Sequence, residues 1–100
     1  MNKINAVVEK LKEYGAEKII LFGSAAKREI DEYSDLDFLM IKKTRLRFLR
    51  RLIEVGKILR EFGKVDVFIY TPKEFEKMKE MRNPFIERAL KEGKVVYEKK

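Results

Sequence analysis

Three short apolar runs separated by helical sequence constrain this chain more than any other feature: "KIILF" (18–22), "DLDFLMIK" (35–42) and "KVDVFIY" (64–70). The second is apolar on both faces beyond its first residues, as a strand covered on both sides of a sheet must be. Between the second and third runs, Leu46, Leu49, Leu52, Ile53, Leu59 and Phe62 recur at helical spacing and Gly63 follows. That spacing predicts a long helix over 44–62. A strand, a long helix and a second strand make the crossover of a parallel pair, so 64–70 should lie parallel to 35–42.

The remaining punctuation is consistent with this unit. Ile4, Val7, Val8 and Leu11 mark an amphipathic helix over 3–14 with Gly15 as its C-terminal cap. Residues 25–30 have the pattern of a short helix and "DEYS" that of a turn. Thr71, Pro72 and Glu74 form a capping signature for a helix running to about Met81, and Asn83-Pro84 repeats the signal for a last helix that Gly93 closes. "KVVYE" (94–98) reads as a final strand. The order αβαβαβααβ, with neither repeat nor low-complexity segment, predicts one mixed α/β domain over residues 1–100, built on a sheet of three to four strands.

Composition removes whole classes of chemistry. There is no cysteine and no histidine, which excludes disulfides, thiolate nucleophiles, Ser-His pairs and the usual nitrogen ligands of transition metals. Any catalysis must run on carboxylates, hydroxyls, lysines and arginines. No apolar run is long enough to span a bilayer, and the start "MNKINAVVEK" has no signal-peptide core, so a cytoplasmic location is expected. The excess of 24 Lys plus Arg over 17 Asp plus Glu gives a formal charge of +7. That favours anionic partners, although a Lys- and Glu-rich surface is equally typical of thermophile proteins.

Within this frame the stretch "GSAAKREIDEYSDLD" (23–37) carries the chemistry. Asp35 and Asp37 alternate along one strand face with Cα atoms roughly 6.5–7 Å apart, and two carboxylates at that spacing repel unless a cation lies between them. Magnesium suits such hard oxygen ligands, and carboxylate-bridged pairs of it clamp the attacking and leaving oxygens of a phosphoryl or nucleotidyl transfer. Asp66 is the one ionised group in its apolar strand; read as buried, it needs a partner. If 64–70 is parallel to 35–42, Asp66 lies near the same end of the sheet. Gly23-Ser24 reaches that end only if 18–22 runs antiparallel to 35–42; its backbone donors and the Ser24 hydroxyl would then face a phosphate. Taken singly, a Gly-Ser is a turn and an Asp-x-Asp is as readily a cap, and Asp66 alone could be an ion pair with an arginine. Only the combination points to a site.

"LFGSAAKREIDEYSDLDFLMI", together with Asp66 in "KVDVFIY", resembles the minimal nucleotidyltransferases (MNT) of the DNA polymerase beta superfamily, a type often encoded beside a HEPN-domain protein. The similarity extends to the closing "EGKVVYE" and covers nearly the whole chain. It implies a polymerase-beta-like nucleotidyltransferase fold and an ATP- and magnesium-dependent activity with two ions. By matching position it implies Asp35, Asp37 and Asp66 as metal-binding and catalytic residues, with Asp66 also orienting or deprotonating the acceptor hydroxyl. Gly23, Ser24 and Lys27 would hold the nucleotide. Members paired with HEPN toxins act as antitoxins by transferring AMP to a tyrosine of the partner. The family commonly has Ala-Arg-Gly where this chain has Ala26, Lys27 and Arg28: Lys27 keeps the charge, the glycine is lost, and Arg28 reads as solvated.

Lys42, Lys43, Arg45, Arg47, Arg50 and Arg51 gather at the beginning of the 44–62 helix, where the helix dipole disfavours cations. A solvated face is the commonest meaning of such a run, and Arg50 and Glu54 have the spacing of a surface pair. An acidic partner surface or an RNA backbone are the alternatives, the second without a supporting RNA-binding signature. A hundred residues leave no room for a second domain to grip base and acceptor, which implies an acceptor on another chain; whether the protein forms a homo- or hetero-oligomer stays open. Three functions remain open: AMP transfer to a HEPN-type toxin, a non-catalytic antitoxin acting by occlusion, and nucleotidyl transfer to RNA ends.

Overall fold

The computed structural model of the chain describes residues 3–23 and 36–100. The elements are α1 (Lys3–Tyr14), β1 (Lys18–Phe22), β2 (Leu36–Ile41), α2 (Phe48–Ile58), a 3-10 turn (Arg60–Phe62), β3 (Val65–Tyr70), α3 (Pro72–Glu80), α4 (Pro84–Glu92) and β4 (Lys94–Glu98). The short helix expected over 25–30 lies outside the described residues. The strands form one mixed sheet in the order β3-β2-β1-β4. β2 and β3 are parallel, as their helical crossover requires, and β1 runs antiparallel to β2 and β4. The result is the mixed α+β fold anticipated above.

Strand alternation divides the core into two layers. Leu36, Phe38 and Met40 of β2 pack with Ile19, Leu21, Val67 and Ile69 against Val7, Val8 and Leu11 of α1 and Val55 of α2. Leu39 and Ile41 turn the other way with Ile20, onto Phe75 of α3 and Ile86 and Ala89 of α4. The sheet is therefore sandwiched between helices, and β2, whose residues 36 and 38–41 are all buried, is one of its two inner strands.

The long helix is shorter than its apolar spacing suggests. Thr44 Oγ1 accepts the Leu46 N–H at 3.1 Å and holds residues 44–46 in a local turn, so helix begins only after Arg47. At the other end Leu59 departs from helical geometry, and the chain tightens into the 3-10 turn before Gly63 at φ 77°. Leu49 and Ile53, counted among the apolar positions of that helix, are 71 % and 50 % exposed. Most of the basic run thus precedes α2 instead of occupying its first turn.

One member of that run is not a surface residue at all. Arg51 is 6 % exposed. Its guanidinium donates to Leu46 O at 2.8 Å, to Ile69 O at 3.1 Å and to both carboxylate oxygens of Glu74 at 2.7 and 3.2 Å. Glu74 also accepts the Thr71 N–H while Thr71 Oγ1 accepts the Glu74 N–H, which completes the expected capping box of α3. Arg51 thereby ties the loop before α2, the end of β3 and the first turn of α3 into one network. Lys42 is also engaged, with its ammonium 5.0 Å from the Tyr14 ring centroid and donating to Lys43 O. Glu54 accepts the Tyr14 hydroxyl proton at 2.8 Å; burial and that carboxylate push the phenol up to about 12.

Glu74 is held below the ordinary 4.5 chiefly by its hydrogen bonds from Arg51. A lowered native pKa means that its contribution is complete above 4.5 and fades as pH falls through the native value. Because the Glu74 side chain is 44 % exposed, solvent screens the pair. Glu74→Gln should cost about 1–2 kcal/mol at neutral pH. Urea unfolding from pH 7 to pH 3 should show the wild-type advantage shrinking across the acid limb while the variant lacks that component.

Candidate active site

The register of the sheet assembles the site. Phe22 of β1 is the Cα partner of Asp37 in β2, and Asp37 is the Cα partner of Asp66 in β3. Partners across a sheet share a face, so Phe22, Asp37 and Asp66 form a row at one end of the sheet on the α3/α4 side. Asp37 is half-buried and Asp66 is exposed. The reading of Asp66 as a buried carboxylate is thus corrected: among the described residues β3 is an edge strand, and Asp66, near its beginning, is exposed. The exposed carboxylate is solvated and needs no internal counter-charge.

Gly23 follows Phe22 directly and has φ 77°. A β-carbon on it would lie 2.7 Å from Asp37 Oδ2. Glycine is therefore required twice over, by the left-handed backbone and by the carboxylate packed against it. Of the residues singled out in the sequence, the structure brings together Gly23, Asp37 and Asp66; Ser24, Lys27 and Asp35, with Arg28, lie outside the described residues. The antiparallel β1–β2 pairing on which a link between Gly23 and the carboxylates depended is present.

Behind the row stands a cluster that the strand patterns did not single out. The Phe85 ring, from the first turn of α4, meets Phe22 at 5.2 Å and Phe68 at 5.5 Å, both edge-on, and Phe22 and Phe68 are 6.4 Å apart. Phe68 is two residues beyond Asp66, on its face. These rings give the carboxylates an apolar wall on the side of α4. The available signal was the alternation itself, which puts Phe22 and Phe68 on the carboxylate face.

Asp37 and Asp66 supply hard, anionic oxygens from adjacent strands, a donor set suited to magnesium and unsuited to thiophilic metals. The Asp37 carboxylate occupies the place that a Gly23 side chain would need, so the two are in close contact. Among the described residues no group of three potential ligands is present, and the third carboxylate expected from the sequence, Asp35, is outside them. The residues present fit a hard divalent cation. A larger depression of about 590 Å³ opens at the opposite end of the sheet, beside Lys18, Ile41 and Lys43. It includes neither aspartate of the row, and we give it no part in the chemistry.

Residues 2–100 match the family model described as Polymerase beta, Nucleotidyltransferase; the chain belongs to that nucleotidyltransferase family. No curated protein matches it by sequence. Among solved structures, it resembles a Sulfolobus solfataricus protein described as a nucleotidyltransferase, at 20 % identity and a TM-score of 0.63, over 96 % of this chain and 78 % of that one. It also resembles a chain in the complex of a tri-AMPylated Shewanella oneidensis HEPN toxin with MNT antitoxin, at 18 % identity and a TM-score of 0.58, over 96 % and 70 % respectively. At such identities the two likenesses establish the fold. Among the described residues no helix is long and apolar enough to cross a membrane.

Gly23→Ala should strain the backbone and displace Asp37, lowering stability by about 1–2 kcal/mol. Thermal unfolding checks the stability.

Proposed function

We propose that this chain, read as one minimal nucleotidyltransferase domain, transfers AMP from ATP to a hydroxyl, a tyrosine of a HEPN-type toxin, and so acts as its antitoxin. The observation that carries the reading is the pairing of Asp37 with Asp66 across parallel strands, with Gly23 closed against Asp37. The family supports nucleotidyl transfer, and the resemblance to a chain from a complex containing a tri-AMPylated toxin supports that acceptor.

Asp37, joined by Asp35, would hold magnesium, and Asp66 would complete the site. When bound, the metal neutralises triphosphate charge and favours in-line displacement at the α-phosphorus. Gly23, Ser24 and Lys27 would hold the phosphates. Asp66, exposed at the outer end of the row, orients the acceptor hydroxyl and takes its proton. The acceptor oxygen forms a bond to the α-phosphorus as the bond to pyrophosphate breaks, and pyrophosphate leaves with that electron pair. Phe22, Phe68 and Phe85 keep water from one side of the carboxylates, which strengthens their electrostatic effect.

Incubation with magnesium, α-labelled ATP and a HEPN-domain protein encoded beside this chain should place label on the partner. Asp66→Asn should lower the rate by about 10²–10⁴-fold, the range for loss of a positioned proton acceptor, and chelation of the metal should abolish transfer. Full labelling by an Asp35→Ala plus Asp37→Ala variant would sink the assignment. Neutralisation of the toxin by that variant at wild-type stoichiometry, without labelling, would instead favour inhibition by occlusion.

A further inference from the structure

β3 is at the edge of the sheet with a regular six-residue register to β2, whereas the other edge strand, β4, is broken by a bulge in its pairing with β1. A bulge blunts an edge; a regular register leaves one open to pairing. The backbone of β3 shows which groups face outward. Lys64 O and Tyr70 O accept from Leu36 and Lys42, on the β2 side. By the alternation of a parallel ladder, Val65, Val67 and Ile69 turn their amides and carbonyls to the open edge. Ile69 O is covered there by Arg51. Among the described residues, no strand lies on the outer side of Val65 and Val67.

Beside this stretch runs a groove of about 250 Å³ between α2 and β3, bounded by Leu52, Val55, Gly56 and Leu59 on the helix and by the strand from Val65 to Phe68. Gly56 is unexplained by the fold itself. It is exposed in the middle of a helix, and a β-carbon there would meet nothing within 4 Å, although glycine weakens a helix. It lines the groove and puts no side chain into it. Leu49 and Ile53, both exposed, continue the same stripe of α2. The exposed cations Lys57, Arg60 and Lys64 adjoin the lining residues in sequence.

We propose that the acceptor is delivered as an extended, acid-flanked protein segment that pairs antiparallel with the open edge of β3 and sets its hydroxyl residue opposite Asp66. Asp66 lies between the two outward-facing residues, so the residue opposite it occupies a non-hydrogen-bonded position, with Cα atoms about 4.5 Å apart and side chains on one face. The row Phe22–Asp37–Asp66 gains a fourth member, and a tyrosine there points along the same face as both carboxylates. Its two neighbours turn to the α2 side and fill the apolar groove, while acidic residues beyond them meet Lys57, Arg60 and Lys64. Main-chain pairing provides affinity and the alternate side chains provide selectivity, as in other strand-addition complexes. The chemistry of this step rests on the transferase reading above; the docking does not.

The probe is the peptide acetyl-Asp-Val-Tyr-Val-Glu-amide carrying a fluorophore at one end, followed by anisotropy, with a second peptide N-methylated at both valines. Binding to the wild type and to Asp66→Asn should be similar. It should weaken about tenfold or more for the N-methylated peptide and for Gly56→Leu, which fills the groove while improving helix propensity. Val65→Pro, at the first residue of an edge strand where proline is tolerated, should weaken binding in the same sense. Binding that is undetectable with the wild type, or indifferent to N-methylation and to both edge variants, overturns the docking mode. With magnesium and α-labelled ATP, the wild type should label the tyrosine and Asp66→Asn should not. Edge-dependent binding without labelling would count against the transferase reading and leave the docking intact; labelling unaffected by the edge changes would do the reverse.

Discussion

The geometry of the candidate site depends on the register in which β3 lies beside β2. Side chains in a strand alternate, so a slip of one residue would carry Asp66 to the α1/α2 face and push Val65 or Val67 toward the aspartate side. The burial of Val67 and Ile69 opposes such a slip, since both would leave the core that they share with Phe38 and Met40. Arg51 opposes it as well. Its guanidinium is fixed to Ile69 O and to Glu74 just beyond the strand, so sliding β3 would break a buried, charge-assisted network and leave a cation without partners. A residue far along the strand from the carboxylates therefore helps to set where they stand.

This explains why the network lies where it does. Parallel pairing by itself specifies register weakly at an edge, because only one neighbouring strand contributes hydrogen bonds. The crossover from β2 returns through an irregular segment before α2 begins, and Leu46 O in that segment is another Arg51 acceptor. One side chain thus fixes the start of the crossover against the end of the strand it leads to. The capping box of α3 is built into the same carboxylate, so the turn after β3 is fixed too.

The sequence was most informative where period and punctuation agreed. β1, β3, β4 and the starts of α3 and α4 follow from short apolar runs, Thr71-Pro72 and Asn83-Pro84, and the structure has them at nearly the same residues. It was least informative where one residue type serves two environments. Arg51 is indistinguishable in a list of basic residues from Arg50, yet one is buried and the other exposed, because only the fold shows that Glu74 and Ile69 O converge on position 51. Leu49 and Ile53 have the spacing of core residues and are exposed. Asp66 errs in the opposite direction: apolar neighbours suggested burial, but neighbours along a strand face both ways, and strand order decides exposure. Gly23 is legible as a turn residue; that it packs against Asp37 is a tertiary fact that no local pattern encodes.

The two carboxylates of the row also differ in a way that bears on how such a site would work. Asp37 is on an inner strand, half-buried, with Gly23 against it on one side and Asp66 on the other. Asp66 is one strand further out, exposed, with sheet on one side only. Asp37 is flanked by the chain on both sides, whereas the outer side of Asp66 is open to a group that approaches from beyond the sheet. On the proposed reading this division assigns the nucleotide to the interior half of the row and the acceptor to the outer half. The exposure of Asp66 is then a consequence of function: a second inner carboxylate could bind metal equally well, but no external hydroxyl could reach it.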